Sequence, residues 1–274
     1  MRKKYGDLRM ELLTNPDLCK YVNRIRLSLL HCGYATVGKE WTGTVRNPVY
    51  SRLYYVQSGK AVIVTEQGRV ELLPGNWYLL PTGVTFDYSC SEKLEHIFFH
   101  LKLFDFDEVD LLRSVPKPIS VCMGQDESLC RNIKGANVTD WLKVRQAVDS
   151  VLICLLEAHN ISIKSEDYSP CIFKALQYIK QNLSMQLTIA EVAENIFVSK
   201  STLTKRFQKE LCMSVNQYIH DTVMFQAVQL LRSTDMSVLA VSEKFGFSDQ
   251  FYFSRCFKAK FGKSPREFRK IMYI

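Results

Sequence analysis

Two hydrophobic periods divide the chain. Between residues 50 and 103, short β-prone runs alternate with turn signals every 6–9 residues. Residues 50–56 end at Ser58-Gly59, 61–65 at Gln67-Gly68, 69–73 at Pro74-Gly75 and 77–80 at Pro81-Thr82-Gly83, with 85–89 and 95–103 following. That rhythm predicts an antiparallel β-barrel or sandwich. From residue 140 onward the period lengthens to the helical one. Trp141, Val144, Ala147/Val148, Val151/Leu152 and Leu155/Leu156 form one stripe over residues 140–159, which packs either on its own barrel or against a second subunit. Residues 161–170 carry no sustained apolar period, and Pro170 discourages a helix from running through, so this stretch reads as a linker.

The last hundred residues contain a repeat. Shifted by 49, Thr188-Ile-Ala-Glu-Val-Ala-Glu-Asn-Ile196 falls on Ser237-Val-Leu-Ala-Val-Ser-Glu-Lys-Phe245, each a short helix opened by a hydroxyl cap. Shifted by 50, Leu203, Phe207 and Leu211 fall on Phe253, Phe257 and Phe261, and each triplet is a single stripe on one helix face. The change of offset lies in the turn between the helices, where length varies freely. Ser199 and Ser248-Asp249 are ready N-caps, and Gly246 suits a turn of positive φ. Each unit is therefore helix, tight turn, helix, at about 188–210 and 237–260. Between them residues 215–232 are periodic in Val215, Tyr218, Ile219, Val223, Ala227, Leu230 and Leu231. That helix is roughly 27 Å long. It is a rod able to hold two reading helices near the roughly 34 Å repeat of successive major grooves.

The free sides of the two second helices carry the chemistry. Ser201, Thr202, Lys205, Arg206 and Lys209 lie off the first stripe; Gln250, Phe251, Ser254, Arg255 and Lys258 lie off the second. Gln and Arg reach base edges, whereas Lys and hydroxyls suit phosphates. A merely solvated face accounts for one such helix. It accounts less well for two in the same register, interrupted only by Asp249 and Glu210. Charge agrees: the net is +8, with 21 Lys/Arg against 20 Asp/Glu in residues 1–170 and 15 against 8 in residues 171–274. A basic half favours a polyanionic partner through counterion release, although surface charge for solubility is the plainer reading of charge alone.

Composition narrows the class further. With 274 residues, 47% hydrophobic and 23% charged, the chain has enough apolar material for two packed domains, and whole-chain disorder is excluded. No apolar run nears the roughly 18 residues of a membrane span. The basic start, Met1-Arg2-Lys3-Lys4, is not followed by the apolar stretch of a secretion signal, so a cytoplasmic location is expected. Nine cysteines, an odd number without a CxxC pair, argue against a zinc site and a disulfide framework.

The C-terminal motifs resemble those of the AraC/XylS-type double helix-turn-helix domain. The resemblance rests on Ile179-Lys-Gln-Asn-Leu-Ser184, Thr188-Ile-Ala-Glu-Val-Ala193, Ser199-x3-Leu203-x3-Phe207, Ala227-x2-Leu-Leu231 and Val238-x-Ala-Val-Ser-Glu-Lys-Phe-Gly-Phe247. Ser248-Asp-Gln-Phe-Tyr-Phe-Ser-Arg-Cys-Phe-Lys258 and Gly262-Lys-Ser-Pro-Arg-Glu-Phe-Arg269 complete a match over roughly residues 172–271. It implies that Thr202 and Lys205 in the first unit, and Gln250, Ser254 and Arg255 in the second, read bases. Ser201, Arg206, Lys209, Phe251 and Lys258 take phosphate or secondary contacts. Cys212 departs from the pattern, because the family usually places there the Gly that ends the helix, as Gly262 does in the second copy. Leu53-Tyr-Tyr-Val-Gln-Ser-Gly59, Leu73-Pro-Gly75 and Leu80-Pro-Thr-Gly83 are similar to the cupin-type sensor domain attached to many such regulators.

Metal-dependent cupins need clustered His and Glu. Between residues 34 and 100 the histidines are His96 and His100, and Phe86 stands where a ligand His often follows the turn. No metal, cofactor or catalytic residue is therefore expected. A barrel mouth still suits a small ligand. Arg52, Tyr54, Trp77 and Tyr88 are the candidate lining residues: aromatics stack on sugar rings, and Arg grips hydroxyls or a carboxylate. Equally, such residues fill any small barrel.

The expected fold is α+β and multi-domain. Residues 1–139 form a cupin-like antiparallel β-barrel that binds an effector, 140–160 a dimerisation helix, 161–170 a linker, and 171–274 an all-α DNA-binding domain. The expected protein is a sequence-specific DNA-binding transcription regulator, and by resemblance an activator. Its partners are double-stranded DNA, a small-molecule effector with sugars as the first class to test, RNA polymerase and a second copy of itself, with no membrane. The rival is a metal-free cupin-like enzyme whose basic tail binds nucleic acid non-specifically; a third reading is a ligand-independent architectural protein.

Overall fold

The computed structural model describes residues 22–23, 25–105, 109–124, 128–163 and 168–270. The basic start of the chain and residues 164–167 of the expected linker lie outside them. Strands β1 (Arg26–Val37), β3 (Ser51–Gly59), β6 (Asn76–Leu80), β8 (Leu94–Phe104) and β9 (Ile119–Cys122) form one antiparallel sheet, ordered β1-β8-β3-β6-β9. A second sheet, β2-β7-β4-β5, holds β2 (Thr42–Val45), β4 (Ala61–Thr65), β5 (Gly68–Leu72) and β7 (Phe86–Ser89). The antiparallel class is the expected one, but the barrel is not closed. The chain leaves the first sheet at Gly59, whose φ of 78° and whose approach to Lys93 account for the corner. A Cβ there would stand 2.0 Å from the Lys93 carbonyl oxygen, so only glycine turns it.

Strand parity sorts the side chains into two cores. On β3, Tyr54 and Val56 face the second sheet and pack with Ile63, Leu72 and Leu80. Leu53 and Tyr55 face the other way, onto helix α2 (Val138–Ala158), which follows the short helix α1 (Leu129–Ile133). Val144, Val148, Val151 and Leu155 of α2 are buried there. The first sheet is thus covered on both faces, and residues 51–56 are all buried instead of alternating. The apolar stripe of α2 is spent largely on its own sheet.

The C-terminal half is helical: α3 (Pro170–Gln181), α4 (Ile189–Asn195), α5 (Lys200–Leu211), α6 (Val215–Ser233), α7 (Val238–Lys244), α8 (Gln250–Phe261) and α9 (Pro265–Lys270). Pro170 opens α3 at its first position, with Ser169 capping the Ile172 N–H. The stripes read from sequence are the core, since Leu203, Phe207, Phe253 and Phe257 are each fully buried. Removing one such ring is expected to cost about 3–5 kcal/mol.

The two halves share an interface. Phe104 meets Phe225 edge-on at 5.1 Å, and Tyr50 stacks on Phe261 at 6.0 Å with ring planes 5° apart. Asp221 of α6 lies between Arg113 (2.9 Å) and Lys260 (3.0 Å). Burial alone pushes the Asp221 carboxyl up, but His220, Lys260 and Arg113 outweigh it and hold the group below the usual carboxylate range.

Candidate nucleic-acid interface and interdomain cavity

Helices α5 and α8 are the second helices of two like units, and local chemistry sets where each begins. Thr188 and Glu191 form a capping box at α4, and Ser237 caps the Ala240 N–H of α7. Ser199 accepts from the Thr202 N–H at 3.1 Å, and Asp249 accepts from the Tyr252 N–H at 2.7 Å. With the apolar stripes turned inward, Ser201, Thr202, Lys205, Arg206 and Lys209 are left exposed on α5. On α8, Phe251, Arg255 and Lys258 are exposed, while Gln250 and Ser254 are half-buried.

The two acids that interrupt these faces are engaged elsewhere. Glu210 accepts from both the N–H and the hydroxyl of Ser169, each at 2.9 Å. Asp249 is the cap of α8, and the Tyr252 N–H holds its carboxyl below the usual range. The remaining face is cationic and rich in hydroxyls, suited to phosphates and base edges. The Arg255 guanidinium lies 5.8 Å from the centre of the Tyr252 ring, so it is partly oriented before any ligand arrives.

Sequence reasoning passed over Phe197. It sits in the turn before α5, is 93% exposed and takes a left-handed backbone at φ 59°. The 49-residue shift places it on Gly246, at φ 70°, so the signal was present in the repeat. Cys212, the other departure, ends α5 at φ 52°, where Gly262 ends α8 at φ 75°. The first unit therefore holds side chains at both positions where the second has glycine.

Between the two sheets, a cavity of about 420 Å³ opens toward the helical half. Of the candidate residues, Arg52, Tyr54 and Tyr88 line it. Trp77 does not. It pairs with Tyr55 across β3 and β6, which places it on the opposite face of the sheet, against Phe99 and the α2 core. Only the pairing register decides this, because a one-residue change of parity moves a side chain to the other face.

The walls also include residues that sequence did not single out: Trp41, Tyr50, His31, and Lys260–Lys263 from the end of α8. His96 and His100 line the cavity too. Burial pushes His96 down to about 4 and His100 well below its ordinary value, with Arg52 adding to the shift at His100. Both imidazoles are therefore neutral near pH 7. Burial likewise pushes the Tyr54 hydroxyl up to about 12, so it stays protonated. Arg52 is 7% exposed; its guanidinium lies 4.6 Å from the Tyr50 ring centre and 5.4 Å from that of Phe86.

Comparison with known proteins agrees with this arrangement. Residues 192–271 match a family profile described as a helix-turn-helix domain. The Msm operon regulatory protein of Streptococcus mutans is 25% identical over 265 residues, covering 91% of this chain and 94% of that protein. The arabinose operon regulatory protein of Escherichia coli K12 is 37% identical over 147 residues, which are 53% of this chain and 47% of the relative. Among solved structures, ToxT from Vibrio cholerae superposes with a TM-score of 0.58 at 14% identity, covering 91% of this chain and 98% of that one, a likeness of fold. Among the described residues, no helix is long and apolar enough to cross a membrane.

Proposed function

We propose that the chain is a DNA-binding transcription regulator of the AraC/XylS type, in which α5 and α8 read adjacent major-groove segments under the control of a small molecule in the cavity. Thr202 and Lys205 of α5, with Gln250, Ser254 and Arg255 of α8, contact bases. Ser201, Arg206, Lys209, Phe251 and Lys258 hold the backbone or flank it. The observation that carries the reading is continuity: α8 presents its polar face outward, and its last turn and cap, Lys260–Lys263, form part of the cavity wall.

A ligand there contacts both halves of the protein at once. It therefore binds the docked and undocked arrangements unequally, which is the requirement for shifting their populations. Tyr50 links the two ends of this path, stacking on Phe261 at 6.0 Å while the Arg52 guanidinium covers its ring. The protein works in the cytoplasm as an activator that contacts RNA polymerase. It pairs as a homodimer through the outer side of α2, where Trp141 and Leu142 are more than half exposed.

Selection of genomic fragments at about 150 mM salt with competitor DNA tests the reading, since phosphate contacts alone weaken steeply with salt. One site of two adjacent half-sites is the expected product. Uniform recovery of all fragments rejects sequence-specific reading. Within the selected site, Arg255→Ala should weaken binding at one base position, whereas Lys258→Ala should weaken all sequences alike.

A further inference from the structure

The cavity has an uneven polarity that narrows what it holds. Among the described residues its charged lining is Arg46, Arg52, Lys260 and Lys263, with no Asp or Glu. Arg52 is the buried one. Its Nη2 donates to the Tyr50 hydroxyl at 3.5 Å, and among the described residues its Nη1 has no hydrogen-bond partner. The ring faces of Tyr50 and Phe86 meet its charge but take none of its N–H groups. A buried cation left in this way is costly unless an anion completes it.

A second unmet group lies at the other end. Nδ1 of His96 is buried and has no hydrogen-bond partner among the described residues. Across the β3–β8 ladder Arg52 pairs with His100 and Val56 with His96, so the two unmet groups sit four residues apart on one sheet face. At about 3.3 Å per residue that is roughly 13 Å between their backbones. Aromatic rings fill the interval: Tyr54 lies 5.1 Å from His96, Trp41 lies 5.9 Å from it, and Phe98 lies 5.4 Å from His100.

We propose that the cavity binds a small organic anion with a flat apolar body, its carboxylate paired with Arg52 and an uncharged hydrogen-bonding group at its far end meeting His96. The carboxylate accepts two guanidinium N–H bonds, a geometry that Arg matches and a neutral sugar does not supply. The rings stack on the body of the ligand. The volume of about 420 Å³ lies in the range of small-ligand sites. This inference rests on the reading that the cavity holds the effector, and it replaces a sugar by an amphiphilic acid.

The test uses the full chain and a fixed panel: 4-hydroxycinnamate, cinnamate, the amide of each, and L-arabinose. Thermal melts should show the acids raising Tm by several degrees and the amides raising it far less, with affinity lower by about tenfold or more. 4-Hydroxycinnamate should bind more tightly than cinnamate, and His96→Ala should erase that difference alone. Arg52→Gln should bind acid and amide equally. If that variant does not fold, Arg52→Lys should still prefer the acid, at reduced affinity.

Equal binding of acids and amides by the unaltered protein overturns the proposal, as does a panel in which no acid raises Tm. Stabilisation by L-arabinose alone, with a change in DNA affinity, overturns it while leaving effector control standing. Conversely, an acid that binds without changing DNA affinity removes effector control and leaves this inference intact.

Discussion

The two helix-turn-helix units share a plan and differ in their backbones. Both begin each helix with a Ser, Thr or Asp cap and bury an i, i+4 stripe. The second places Gly246 and Gly262 at its two left-handed positions; the first places Phe197 and Cys212 there, at φ 59° and 52°. A side chain in that region is held by its surroundings at a cost of order 1–2 kcal/mol. The second unit is also tied to the cavity-bearing half, through Phe261 on Tyr50 and through Lys260 on Asp221, which Arg113 shares. Caps and stripes are thus enough to repeat the unit. Relaxed turns and a docked end are separate features that only one copy combines.

The largest expected effect comes from cutting the tie. Asp221→Ala leaves Arg113 and Lys260 without their shared carboxylate, at an expected cost of about 3–5 kcal/mol. For a chain of this size that lowers Tm by roughly 10 °C. An unchanged melt would show that docking of the second unit does not depend on the carboxylate.

Acid should destabilise the opposite end of the cavity. His96 titrates near 4 in the folded protein because burial disfavours its charge, and near 6.5 when unfolded. As pH falls through that window the unfolded chain takes up the proton first, so stability declines from about pH 6.5 to 4 and then levels off. His96 accounts for about 3 kcal/mol of this. His100, held well below its ordinary value by burial and by Arg52, acts in the same direction. Melts from pH 7.5 to 4 should show a shallower decline for His96→Asn, and an identical slope would reject the assignment.

Reading strength divides the units next. Arg255→Ala and Lys205→Ala should each cost about 1–3 kcal/mol at one base position, in different half-sites. Losses confined to the same half-site would mean that only one unit reads sequence.

The smallest effect probes the turns. Cys212→Gly should stabilise the protein by about 0.5–1 kcal/mol, and Gly262→Ala should destabilise it by a similar amount. Matched denaturant curves would show the opposite signs; the same sign would refute backbone strain as the difference between the units.

Much of this was legible in the residues. The repeat, the inward stripes and the cap residues are local, set by spacing and by side-chain bonds to nearby N–H groups, so α4 to α8 follow from the chain with boundaries shifted by a residue or two. The runs 61–65 and 77–80 became β4 and most of β6 for the same reason. β1, β2 and β9 escaped notice. β1 lies against β8 and has only Leu27 and Leu30 buried, so its period is blurred, while β2 and β9 are four residues each.

What the sequence by itself determined was the identity of the units and the chemistry of their outward faces, because helix periodicity exposes both without reference to the rest of the chain. Tertiary structure alone decided which parity of β6 faces the cavity, sending Trp77 away, and which distant residues complete its wall. Strand pairing and domain docking join positions such as Tyr50 and Phe261, 211 residues apart in sequence. No local period encodes such a meeting, since it depends on how two separately folded surfaces fit.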